Sequence, residues 1–184
     1  MSFTDRSRRG TLESKEIDVL LTHPSFTAGD APKMLLRDLI AKLHSSGHLT
    51  DDLEVEIDRY DGIAQMPASI FLESSKPPPP HRRIKFRLVP WDAFVYVQLH
   101  ATGSEAFIIH VREQAAKIGY KLHQDKMEKC QKAVIEVFGV DGLEYMYEVK
   151  NDERQEGDCV LCDSEEDIFR FVQMKYVPPY QRNW

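Results

Sequence analysis

Two carboxylates, Glu16 and Asp18, stand two residues apart in the strand-like run Glu16-Ile17-Asp18-Val19-Leu20-Leu21. About seventy residues later a second strand-like run, Arg83-Ile84-Lys85-Phe86-Arg87-Leu88, carries cations at the same alternation. Side chains alternate faces along a strand, so Glu16 and Asp18 share one face while Ile17, Val19 and Leu21 take the other. By the same rule Arg83, Lys85 and Arg87 share a face, and Ile84, Phe86 and Leu88 point to a core. An acidic pair on one strand, opposed by a functional residue on a second, is how two-metal phosphoryl-transfer sites are built. Here the second strand offers a lysine where such a site wants a carboxylate.

The elements that must position these residues are legible in outline. Residues Pro32 to His44 have Leu35, Leu36, Leu39, Ile40 and Leu43 at helical spacing, with Gly47 just beyond. Leu53 to Tyr60 and Ile63 to Ile70 read as further strands. The string Ser74-Ser75-Lys76-Pro77-Pro78-Pro79-Pro80 cannot join a sheet ladder and predicts a stiff exposed loop. Asp92 to His100 alternates Phe94, Tyr96 and Gln98 with Ala93, Val95, Val97 and Leu99, a strand-like pattern that completes the first lobe or leads out of it. A second lobe follows. Ser104 is placed to cap a helix from Glu105 to Ile118, closed by Gly119. Ala133 to Phe138 and Leu143 to Lys150 read as strands around Gly139-Val140-Asp141-Gly142, a hairpin signal. Ser164-Glu165-Glu166-Asp167 resembles a capping box opening a last helix through Ile168, Phe171, Val172 and Lys175, ahead of Pro178-Pro179.

The 184 residues, 42% of them apolar, suffice for one domain or two small lobes with a real core. No apolar run is long enough to span a bilayer, and Met1-Ser2-Phe3-Thr4-Asp5-Arg6 has no apolar segment of the secretory kind, so no membrane role is expected. Three cysteines, an odd number, suit a reducing compartment. Cys159-Val160-Leu161-Cys162 stands without a second pair or a neighbouring histidine, and reads as two small apolar residues before a helix rather than a zinc or redox site. The net charge of −6 argues against a free-standing nucleic-acid binder, which usually shows a basic footprint. That charge is uneven: Met1 to Asp92 holds 13 basic and 14 acidic residues, the remainder 11 and 16. A local basic groove around Arg6, Arg8, Arg9, Arg82, Arg83, Lys85 and Arg87 makes the first lobe the better candidate for touching phosphate.

Several strings carry a family resemblance. Arg8-Arg9-Gly10 followed by Glu16 to Phe26 resembles the first palm motif of family X DNA polymerases, the DNA polymerase beta and lambda group. His81-Arg82-Arg83-Ile84-Lys85-Phe86-Arg87-Leu88-Val89-Pro90 resembles their second palm motif. Thr102-Gly103-Ser104 is similar to the turn opening the thumb, and Ser164 to Phe169 with Lys175-Tyr176-Val177-Pro178-Pro179 to the thumb's last helix and tail. These matches are collinear and cover nearly the whole chain. The resemblance implies an α+β fold: a nucleotidyltransferase-like palm with a mixed or antiparallel sheet over residues 1–92, then a small α/β thumb over 93–184.

The resemblance also implies residue roles. Glu16 and Asp18 fall on the two metal-bridging carboxylates of the family, and Lys85 on its third, so Mg²⁺ would be the cofactor of an active site of this kind. A glutamate for the usual aspartate adds a methylene, and a protonated ammonium has no lone pair for a dication. Arg9 matches the triphosphate-contacting arginine, Arg112 the thumb arginine on the template side, and Arg83, Gly103 and Ser104 further nucleotide or phosphate contacts. Asp5-Arg6 stands where the family has Gly-Ser, and His100-Ala101 where it has Tyr-Phe. The chain begins immediately before the palm, so the lyase domain and helix-hairpin-helix fingers that grip duplex DNA in relatives are expected to be absent.

Three functions follow. One is a catalytically degenerate palm–thumb that binds DNA weakly and without sequence preference, or a repair-complex protein, in the nucleus. A second is an active nucleotidyltransferase of DNA repair. A third is a structural interaction domain, with Glu16, Asp18, Arg83, Lys85 and Arg87 as merely solvated strand residues. On the first, Lys85 is expected to lie where a metal would sit and to pair with Glu16 and Asp18.

Overall fold

The computed structural model describes residues 2–3, 8–10, 16–27, 34–67, 79–129, 135–138, 146–149 and 158–183. It divides into two compact units, Met1–Trp91 and Asp92–Trp184.

The first unit is a five-stranded mixed sheet with one described helix. Its strands are β1 (Ser2–Phe3), β2 (Glu16–Leu21), β3 (Leu49–Val55), β4 (Arg59–Ala64) and β5 (Arg82–Leu88), in the spatial order β1-β2-β5-β4-β3. Strands β2 and β5 are parallel, while β5 with β4, β4 with β3 and β1 with β2 are antiparallel. Helix α1 (Leu35–Ser45) lies in the long connection from β2 to β3. Its buried Leu36 and Ile40 pack on Val19, Leu49, Tyr60 and Phe86, with Ile17, Leu21, Leu43 and Ile84 partly buried around them. This is the predicted apolar face, and it turns the charged face of β2 and β5 the other way. Beside this core an apolar cavity of about 620 Å³ runs along α1, bounded by Leu39, Leu43, Ile17, Val19, Ile84 and Phe86.

Two readings of this unit are corrected. Residues 53–60 are not one strand: β3 begins at Leu49, and the chain reverses through Glu56 to Asp58, with the Glu56 amide donating to Arg59 O at 2.8 Å. Strands read at 53–60 and 63–70 leave Asp61-Gly62 between them, where an Asp-Gly pair signals a turn. Both in fact lie inside β4. Gly62 is needed there for packing, since a Cβ would stand 2.1 Å from the Tyr60 hydroxyl folded over it. Tyr60 in turn stacks on Phe86 at 5.7 Å and donates to Asp52 Oδ1 at 2.7 Å. Helix α1 starts at Leu35, three residues after the expected Pro32, and Gly47 closes it with φ +73°. Pro32, Lys33, residues 68–70 and the prolines up to Pro78 lie outside the described residues.

The second unit comprises α2 (Phe94–Thr102), α3 (Glu105–Lys117), β6 (Tyr120–Leu122), β7 (Met127–Lys129), β8 (Ile135–Phe138), β9 (Met146–Val149), β10 (Cys159–Val160), α4 (Glu165–Phe171) and a 3₁₀ turn at Pro179–Gln181. Strands β10-β7-β6 form an antiparallel sheet, and β8 with β9 the predicted hairpin; its Gly139–Gly142 turn lies outside the described residues. Leu99, Phe107, Val111, Ala115, Met127, Ile168 and Phe169 make the core.

Residues 94–102 are helical, a further correction to the strand-like reading. Val95, Tyr96, Val97, Leu99 and Thr102 are all buried, so α2 is surrounded by protein and shows no 3.6-residue stripe, leaving its β-branched alternation as a false signal. Ser104 caps α3 as expected, accepting from the Phe107 amide at 3.2 Å. The capping box at Ser164 and Asp167 forms too. Helix α4 stops at Phe171 rather than running to Lys175, because Gln173 turns left-handed with φ +56° and Met174 N donates back to Phe169 O at 2.9 Å.

Candidate active site

Three adjacent strands build the charged face. The parallel register places Glu16 opposite Arg83 and Asp18 opposite Lys85. On the far side of β5 the antiparallel register places Asp61 opposite Lys85 and Ile63 opposite Arg83. Directly paired residues share a face, so Asp18, Lys85 and Asp61 form one row across β2, β5 and β4, with Glu16 and Arg83 in the next. Asp61 lies outside both charged strand runs that the sequence singles out, on β4.

The ion pairs run diagonally across these rows. Lys85 Nζ donates to Glu16 Oε2 at 2.6 Å. Arg83 Nε donates to both Asp61 oxygens at 2.9 and 3.1 Å, and its Nη2 closes a fork on Asp61 Oδ2. Such two-pronged pairing is geometrically specific as well as electrostatic. Lys85, Glu16 and Arg83 are substantially exposed, whereas Asp61 is only 14% exposed and is held by its strand. The electrostatics follow the contacts. The Lys85 hydrogen bond and charge hold the Glu16 carboxyl below its ordinary range, and the Arg83 fork does the same to Asp61. Asp61 chiefly, with Glu16 and Asp18 behind it, holds the Arg83 proton more tightly.

The expected meeting of Lys85 with Glu16 is present. For Asp18 the structure gives the opposed position on β2 and a contribution to the field at Arg83. The Lys85 ammonium works against a divalent ion at Glu16. Mg²⁺ needs hard oxygen ligands in near-octahedral array, and an ammonium 2.6 Å from the Glu16 oxygen competes for that ligand and repels the ion. Among the described residues no group of three or more His, Cys, Asp or Glu is arranged to hold a metal ion.

The remaining candidates sit elsewhere in their own units. Arg9 is half-buried in the turn Arg8–Gly10, where Gly10 takes φ +83°. In the second unit Gly103 and Ser104 have demonstrable packing and capping roles: a Cβ on Gly103 would stand 2.7 Å from Phe107 Cδ1 and 2.9 Å from Ile108 Cδ1. Arg112 is exposed on α3 and adds, after burial, to the pressure that pushes His100 down to about 4. His100 Nε2 is buried without a hydrogen-bond partner among the described residues. Cys159 is exposed on β10 and Cys162 half-buried, its thiol pushed up by desolvation.

Comparison with known proteins accounts for this arrangement. Residues 5–91 match the family described as DNA polymerase beta palm, and residues 97–183 match DNA polymerase beta thumb. DNA polymerase lambda of Rattus norvegicus is 25% identical over 185 residues, covering 96% of this chain and 27% of that protein. The chain thus spans about a quarter of the length of the curated relative it matches. With a mixed sheet carrying paired carboxylates beside a basic strand, followed by a second unit of helices and short strands, the chain belongs to the family X DNA polymerases as their palm and thumb.

Proposed function

We propose that this chain is a palm–thumb protein of DNA repair synthesis, with a palm at 1–92 and a thumb at 93–184, whose palm does not transfer nucleotides. It retains weak, sequence-independent contact with DNA, or contact with a repair-complex protein, in the nucleus. One observation carries the reading: Lys85 Nζ lies 2.6 Å from Glu16 Oε2, at the position where the family's third carboxylate would share a divalent ion with its partners. In-line attack of a primer hydroxyl on a phosphoryl group depends on cations placed at the reacting oxygens. An ammonium fixed on one carboxylate supplies charge but no open coordination position. On this reading Glu16 and Asp18 are vestigial ligands and Arg9, Arg83 and Arg112 the residues that would face phosphate.

A second reading, an active nucleotidyltransferase, has one observation in its favour. Asp61 stands in the same row as Asp18 and Lys85, so the palm does own a third carboxylate, on β4 rather than β5. Primer extension on a gapped duplex with Mg²⁺ or Mn²⁺ decides between them. The degenerate palm gives no template-directed incorporation. Incorporation that disappears in both Asp18→Ala and Asp61→Ala establishes the active site instead.

A further inference from the structure

One feature of the palm face lies outside the carboxylate site. In the β4–β5 register Arg59 stands directly opposite Arg87, one row beyond Asp61 and Lys85. The two share the face of Asp61, Arg83 and Lys85, because Tyr60 and Phe86 between them point into the core. Like charges directly opposed across a ladder destabilise it, with Cβ atoms only ~5 Å apart. Among the described residues neither guanidinium has a carboxylate partner, although Lys85, one row away, and Arg83, two rows away, each have one. Arg59 is exposed and Arg87 half-buried, so the pair faces solvent at one side.

We infer that Arg59 and Arg87 form a phosphate-binding site on the palm face, and that Asp61 limits it to these two arginines by holding Arg83. The chemistry is that of an anion between two guanidinium groups. A phosphate oxygen accepts from both, relieving a repulsion that the empty ladder must bear, and phosphate offers the paired oxygens that an arginine fork matches. Asp61 presents the same two-oxygen geometry to Arg83 and is fixed by a strand, so Arg83 already holds a carboxylate in the place of a phosphate. The site therefore suits a single phosphate of a nucleic-acid backbone or a free polyphosphate. It rests on the reading of the palm as a phosphate-facing surface, and it shifts the expected contacts from Arg83 to Arg59 and Arg87.

The test uses the whole chain without added metal, a short DNA duplex and inorganic tripolyphosphate as separate probes, and binding measured against salt. Arg59→Gln and Arg87→Gln should each weaken duplex binding by about tenfold, the scale of one charge-assisted contact. Each should also flatten the log–log salt slope by about 0.9, the loss of one neutralised phosphate. Arg83→Ala, which removes a guanidinium that Asp61 already holds, should weaken binding less than either. Asp61→Asn should tighten binding, and the gain should vanish in Asp61→Asn/Arg83→Ala; Glu166→Gln, an equal charge change at an exposed position of α4, should give no gain. A separate signature comes from stability: Arg59→Gln should melt higher than the parent without anion, yet lose the rise that tripolyphosphate gives the parent. A response to tripolyphosphate alone assigns the site to free polyphosphate, a response to both to backbone phosphate. Unchanged binding in Arg59→Gln and Arg87→Gln, while the parent binds, overturns the site but leaves the palm reading standing. Indifference of the parent to both probes removes the two together.

Discussion

If Lys85 fills the position of a metal ion, removing it should create a response to divalent ions that the parent lacks. The perturbation is Lys85→Ala. In the parent, the two rows hold Glu16, Asp18 and Asp61 against Arg83 and Lys85. The variant leaves three carboxylates facing one cation, and Arg83 stays engaged with Asp61. Glu16 and Asp18 then repel each other without a compensating charge, a condition that a divalent cation relieves. For an ion at ten times its dissociation constant, linkage multiplies the folded population by about 11. In a chain of 184 residues that corresponds to a rise in Tm of roughly 3–6 °C. The assay is thermal unfolding in 0–20 mM MgCl₂ or MnCl₂ at constant ionic strength. Lys85→Arg should stay as indifferent as the parent, since it keeps the cation, and Lys85→Ala/Asp18→Ala should lose the response. Lys85→Asp should respond too, without full polymerase activity, because Glu16 still carries its extra methylene. A parent that gains as much Tm from Mg²⁺ as Lys85→Ala does would refute the reasoning, since ions would then bind beside the lysine.

Acid should destabilise the protein through two groups of opposite charge type. Asp61 is held below its unfolded value, so its contribution is present above pH ~4 and fades as pH falls through the lower folded value; Asp61→Asn should flatten that limb of a Tm–pH curve. His100 is pushed from 6.5 to about 4 by burial, so the unfolded chain takes up its proton first, and stability drops as pH falls from ~6.5 toward 4. The loss approaches about 3 kcal/mol, and His100→Phe should remove the dependence in that window when stability is measured by denaturant. In the second unit Arg182 is fully buried, donating to Glu165 Oε2 at 2.9 Å and Val177 O at 2.9 Å, with the rings of Phe107, Phe169 and Tyr176 within 5.8 Å. Arg182→Ala should cost about 3–5 kcal/mol in urea unfolding by stranding Glu165, and Arg182→Met/Glu165→Met distinctly less. Gly62→Ala should cost about 1–3 kcal/mol through overpacking against Tyr60, and Tyr60→Leu should recover part of it.

The sequence alone determined the two-lobe α+β organisation, the family, and the faces of the two charged strands. Those features are local. A period of two in β2 and β5 fixes which side chains share a side, and Ser104 and Ser164 act on amides three residues away. Lys85 as the partner of Glu16 was also readable, because aligned motifs carry the pairing of strands 69 residues apart. What only the tertiary structure decided depends on neighbours that no window contains. The alternation in residues 94–102 imitates a strand because α2 is buried on all sides, and burial on all sides is a property of what surrounds it. Asp61-Gly62 imitates a turn because the ring of Tyr60, not a chain reversal, is what demands glycine there. Once β4 docks against β5, its register brings Asp61 onto Arg83 and sets Arg59 against Arg87. Composition shows these charges but cannot pair them, since pairing is set by hydrogen-bond register, and one residue of slip would send each side chain to the opposite face.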